Sequence, residues 1–174
     1  RFDLPLVVAL VVGIAIGTMV GVVNGIVVTR FRVNALIATL GMATFVAGLI
    51  QAYTEGQTIS NGISKSFVRF GSGEQAGIPN VTFVLAVVAV AVWYLLTQVP
   101  FGRHLHFIGS NPASARLVGI DVDRAVRRSF VVSAFFASVG GALLVARNGT
   151  GDPRSGANYM LQALAAAGLK LRPQ

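Results

Sequence analysis

His104 and His106 stand two residues apart in the stretch "FGRHLHFIGSNPASARLVGID", Phe101 to Asp121. Paired imidazoles could begin a zinc site, which needs further Cys, His or carboxylate ligands. The chain has no cysteine, and no carboxylate lies near the pair in sequence before Asp121. No metal is expected there. In "NGISKS" (Asn61–Ser66), Lys65 and Ser66 lie near Gly62, but a phosphate-cradling loop has Gly next to Lys. "GSGEQAG" (Gly71–Gly77) is a loose glycine run without a strand-to-helix context. The carboxylates are scattered singly, which leaves no acid/base dyad. The reading is of a protein that is not an enzyme and takes no cofactor.

Polar groups inside apolar runs carry a different chemistry. Asn24, Asn34, Thr39, Thr44 and Gln51 lie in or at the ends of such runs. Buried amides and hydroxyls want partners. On one reading these residues line a polar pathway. On the other, each Thr bonds its own helix and the amides bridge helices.

The elements that must position these residues follow from composition. Of 174 residues, 54% are apolar and 11% charged, and mean hydropathy is +0.72. A soluble domain has about a quarter charged residues, so lipid must cover much of this chain. The net charge of +8 sits in short links between apolar runs, which points to topology rather than to nucleic acid. Without cysteine there is no disulfide framework.

A membrane helix needs about 20 apolar residues. Four runs free of charge qualify: Leu4–Val28, Val33–Tyr53, Val81–Val99 and Phe130–Ala146. None alternates as a barrel strand would, and helices satisfy their own backbone in lipid. The expected fold is all-α, a polytopic helical membrane domain over 1–174. A fifth run, "MLQALAAAGL", is too short to cross and is taken as the start of another span. The chain opens on "RFDLPLVV" with no initiator Met and closes on "KLRPQ". It is therefore expected to be an incomplete piece of a larger membrane domain, or to close on residues not native to it.

The links set the sidedness. Arg30 and Arg32, and Arg103, Arg116, Arg124, Arg127 and Arg128, fall on one side if the helices alternate. Lys65, Arg69 and Arg154, on the other side, are diluted by Glu55, Glu74 and Asp152. Positive links stay in the cytoplasm. Thr29–Arg32 and Pro100–Arg128 are thus inside, and Thr54–Asn80 forms an outer, aqueous loop.

Gly13, Gly17, Gly21 and Gly25 recur every four residues in the first run, along one helix face. Such a face lets a second backbone approach closely, although Gly is also simply common in membrane helices. Ser133, Ala137 and Gly141 repeat the spacing in the fourth run. The valine-rich third run lacks Gly and is expected to face lipid.

In the 100–128 loop, Ser110-Asn111-Pro112 reads as a helix start and Gly119 as its stop. The enclosed "ASARLV" is under two turns and needs a surface to lie against. Ala113, Ser114 and Ala115 are small, Arg116 is a donor fork and Leu117 an apolar anchor. Such a helix can transmit movement between a partner and the spans. It can equally be a connector whose arginines lie against anionic headgroups.

"FGRHLHFIGSNPASARLVGIDVDR" resembles the cytoplasmic coupling loop in the permease subunits of bacterial ABC sugar importers of the ribose/xylose/galactose type. "GVVNGIVVTRFRVNALIATLGMATFVAGL" and "GTGDPRSGANYMLQALAAA" are similar to two further blocks of that family, in the family's order. Gly102, Arg103, Asn111, Pro112, Ala115, Arg116, Leu117 and Gly119 stand at the loop positions that the resemblance assigns to ATPase coupling. Ala113 stands where many members have Glu, Ser114 where they have Ala, and Met160 and Gln162 where many have Glu and Asp. The resemblance implies an inner-membrane, multi-pass subunit that pairs with a second permease subunit. It also implies cytoplasmic ATPase subunits, which hydrolyse the ATP, and an extracytoplasmic sugar-binding protein. A branched-chain amino-acid permease shares the general fold, and a nonfunctional remnant is the third reading. Uncharged spans lean toward sugar.

Overall fold

The computed structural model describes residues 6–60, 63–75 and 77–169. Residues 1–5, Asn61 and Gly62 of the "NGISKS" loop, Ala76 and the closing 170–174 lie outside the described residues. So does the Leu4 start expected for the first span.

Four helices are long and apolar enough to cross a membrane: α1 (Leu6–Phe31), α2 (Ala35–Thr54), α4 (Asn80–Thr97) and α7 (Val122–Asn148). Between them lie α3 (Lys65–Ser72), α5 (Pro100–Ser110) and α6 (Pro112–Leu117), and α8 (Ser155–Leu169) follows α7. The only strands among the described residues are Glu74–Gln75 and Ile78–Pro79, a small antiparallel hairpin before α4. The all-α, polytopic architecture stands, with this hairpin as its one departure.

Breaks in the chain have local causes. α1 ends where Arg32 turns to φ +52°. α2 starts immediately after, its Asn34 Oδ1 accepting the Leu36 N–H at 2.9 Å. It ends at Glu55, again left-handed at φ +52°, followed by Gly56.

α1 and α7 form the centre of the bundle. They run antiparallel, because successive turns of α1 meet earlier and earlier turns of α7. Gly17 faces the Ser138 side chain, Gly21 faces Ala134 and the Phe130 carbonyl, and Gly25 lies on the Arg127 backbone and Phe130 Cβ. A Cβ at Gly25 would stand 3.2 Å from Arg127 Cα. Gly17, Gly21 and Gly25 thus lie against α7, but not against the α7 row that repeats their spacing. α7 presents Phe130, Ala134 and Ser138, not Ser133, Ala137 and Gly141. One residue is about 100° of helix rotation, enough to turn a neighbouring small-residue row away. Gly13 has no neighbour within 4 Å, and neither does Gly141.

The two ends of the bundle are closed differently. At one end, Gly71 of α3 lies on the backbone of Ala146 and Arg147, and Ala146 is fully buried. Ile59 and Gly151 exchange both backbone hydrogen bonds there, at 3.0 and 2.8 Å. The loop expected over 54–80 is thus partly ordered, with α3 and the hairpin inside it. At the other end sits a small core of Ile108, Ala115, Val122 and Ala125, with Leu105, Ile120 and Val126 packed on it.

Candidate functional site

The 100–128 segment is where sequence and structure converge, although most of it is helix rather than loop. Val99 stays extended and Pro100 opens α5, where its missing N–H costs nothing. Gly102 is buried, with the Leu96 backbone where its Cβ would be, so the chain folds tightly from α4 into α5. Leu105 and Ile108 then face the small core, and Arg103 is exposed. His104 and His106 are exposed on α5, and two residues of separation turn their side chains about 200° apart.

α6 is only six residues, and both its ends are fixed. Asn111 Oδ1 accepts from the Ala113 and Ser114 N–H groups at 3.0 and 3.1 Å, and Pro112 follows at the first helical position. At the far end Gly119 adopts φ +82°. Its N–H donates to Arg116 O at 3.1 Å, and the Ile120 N–H donates to Ala115 O at 3.0 Å. This double closure uses carbonyls that a helix end leaves free. Fewer than two turns, which would not persist alone, are thereby capped at both ends.

The faces of α6 divide differently from the expectation. Ala115 is fully buried, among Ile108, Val122 and Ala125, and is closed to any partner. Its small side chain lets α6 settle on α5 and α7. Leu117 and Val118 point away, 87% and 66% exposed. Val118 was missed in the sequence reading; its signal was its place beside Leu117 at the helix end. Ala113 is exposed as well.

Asp121 then caps α7, accepting the Arg124 N–H at 2.9 Å, and pairs with the Arg124 side chain at 2.8 Å. α7 therefore begins at Val122, eight residues before the expected Phe130 boundary. Asp123 also reaches back to Arg116 at 3.8 Å. Arg32, Arg116 and Asp123 line one cleft, so the two arginine-rich links lie at the same end of the bundle.

Comparison with known proteins places the chain in a family. Residues 1–169 match the family described as branched-chain amino acid transport system / permease component. The chain belongs to this family of permeases. It is 34% identical over 167 residues to the ribose import permease protein RbsC of Haemophilus influenzae, covering 94% of this chain and 52% of that protein. It is 34% identical to RbsC of Bacillus subtilis, covering 81% of this chain and 44% of that protein. The L-arabinose transport system permease protein AraH of Escherichia coli is 31% identical over 80% of this chain and 42% of its own length. The chain spans about half the length of the curated relatives it matches. No solved structure matches it.

The polar residues of this permease chain do not converge on one site. Thr39 and Thr44 donate to carbonyls of their own helix, Ala35 O and Leu40 O, both at 2.9 Å. Asn34 is occupied as a cap, and Gln51 is exposed near the end of α2. Thr44 and Gln51 are seven residues apart and share a face, whereas Thr39 lies about 140° round from Thr44. Asn24 alone is turned inward, on α1, with a buried Oδ1 that has no hydrogen-bond partner among the described residues.

Proposed function

We propose that the chain is a membrane-spanning portion of the permease subunit of an ATP-driven importer in the bacterial inner membrane, passing a ribose-like monosaccharide. The observation that carries this reading is α6, double-capped and seated through Ala115, with Leu117 and Val118 turned outward, in a chain whose relatives are named as sugar permeases. In this reading a cytoplasmic ATPase subunit takes the exposed end of α6, with Leu117 as anchor and Arg116 and Arg103 at the rim. Asn111, Pro112 and Gly119 hold the helix in shape, and Gly102 and Ala115 hold it in place.

ATP hydrolysis belongs to the partner. Its closure pushes α6, and α6 is built onto the first turns of α7. A second permease subunit completes the pore, and an extracytoplasmic binding protein supplies the sugar. The amide of Asn24 and the Thr44–Gln51 face of α2 are the candidates for the polar route. Gly13 and the exposed apolar faces of α2 and α4 are left for lipid and for other spans. The family description names branched-chain amino acids. Sugar is favoured by the named relatives and by spans that carry no charge over 33–53 and 81–97 with which to pair a zwitterion.

The test is a cysteine at Leu117, in the full-length permease co-expressed with its ATPase subunit. Crosslinking to the ATPase is expected, together with protection from membrane-impermeant thiol reagents in sealed cells. Labelling from outside, or an intact complex with no crosslink through α6, sinks the proposal. Sugar-stimulated ATP hydrolysis after reconstitution with the ATPase and binding protein separates sugar from amino-acid transport.

A further inference from the structure

At the α6 end of the bundle, Val28, Thr29, Arg32 and Val33 face Arg116, Asp123 and Val126 across a cleft of about 230 Å³. Arg32 stands in the left-handed region, φ +52°, a conformation that side chains with a Cβ seldom adopt. It makes no ion pair among the described residues. Arg116 has one contact with Asp123, 3.8 Å long, with both side chains about half exposed (59% and 52%). That is a single loose contact, not the two-bond fork that a guanidinium makes with a well-placed carboxylate. Two guanidinium groups thus line a cleft that holds one carboxylate, and Arg32 is left without an ion pair among the described residues. Thr29 donates its hydroxyl to Gly25 O at 2.8 Å, so it offers no hydrogen to a ligand and the arginines must carry any binding. Val28, Val33 and Val126 supply an apolar flank.

Planar forks of this kind suit tetrahedral oxyanions better than they suit a single distant carboxylate. We infer that the cleft is a phosphate-binding site, held between Arg32 and Arg116 with Asp123 as the competing internal anion. The phosphate comes from the head group of an anionic phospholipid or from free phosphate. The end of α1 is where an apolar span gives way to a basic link, the depth at which head groups lie. An anion here bridges the end of α1 to α6, so the seating of α6 depends on the charge of its surroundings. This holds whichever solute the permease carries.

The test uses the full-length permease, delipidated in neutral detergent and titrated separately with phosphatidylglycerol, phosphatidylcholine and inorganic phosphate. Bound ligand is counted by native mass spectrometry. Phosphatidylglycerol or phosphate should bind and phosphatidylcholine should not. Binding should fall about tenfold or more in the Arg32→Gln/Arg116→Gln double variant. It should rise severalfold in Asp123→Asn, and stay unchanged in Arg154→Gln at the opposite end. Displacement of phosphatidylglycerol by inorganic phosphate identifies the free ion as ligand; retention of the lipid against it identifies the head group. Binding that is equal in the double variant, or weaker in Asp123→Asn, overturns the inference. If the double variant loses its helicity, the Asp123→Asn arm decides alone.

Discussion

Helices α1 and α2 are consecutive, apolar and supplied with glycines at helical spacing, yet α1 buries Gly21 and Gly25 whereas α2 buries no residue at all. Gly41 and Gly48 of α2 have nothing within 4 Å of where a Cβ would sit. The difference lies in the partner. α7 meets α1 with Ala134 and Ser138, small enough for the backbones to close, and no described helix offers α2 such a row. Gly13 repeats the lesson within α1, since the seam has already opened at its level. Glycine spacing marks a helix that can be approached; the facing row decides whether it is.

Substitutions can break that contrast. Gly21→Leu forces a side chain into Ala134 and the Phe130 carbonyl, and should cost about 3 kcal/mol or more of stability in mixed micelles. Gly41→Leu should be within about 0.5 kcal/mol of the parent. Equal effects, measured by detergent-titrated unfolding followed by circular dichroism, would refute the seam. Gly102→Ala should cost about 1–3 kcal/mol, because the Leu96 backbone has no free end to move aside. Next in size come the caps of α6: Gly119→Ala should cost about 1–2 kcal/mol at its positive φ, and Asn111→Ala about 1 kcal/mol. Both should loosen protease protection around residues 110–120 while leaving the seam between α1 and α7 intact. Thr44→Val is the smallest, under about 0.5 kcal/mol, since its hydroxyl only returns to Leu40 O. A clear loss of transport with stability unchanged would place Thr44 on the solute's route.

Hydropathy located the four spans because lipid selects for apolar composition. It misplaced the start of α7 because charge is not a helix breaker. Asp123, Arg124, Arg127 and Arg128 are helical, ordered by the Asp121 cap, and simply stand beyond the apolar stretch. α5 escaped notice for a related reason. Its His and Arg residues hide the inward pair Leu105 and Ile108. α6 was legible in detail, because Asn-Pro and a terminal Gly are backbone signals that need no tertiary partner. Which side of α6 faces outward was not legible. Ala115 is small both for a helix that receives a partner and for one that lies on a core, and only the packing of Ile108 and Val122 distinguishes the two.

α7 has 27 residues and no proline, which makes it a strut about 40 Å long. One end is capped by Asp121 and tied to Arg116 of α6 through Asp123, and the other is stitched to the segment after α2 by the Ile59–Gly151 pair. If α6 is pushed as proposed, the far stitch is where a rigid α7 would deliver the movement. Within the helix the adjacent Gly140 and Gly141, where an added Cβ would meet nothing within 4 Å, are the composition at which helices bend most readily.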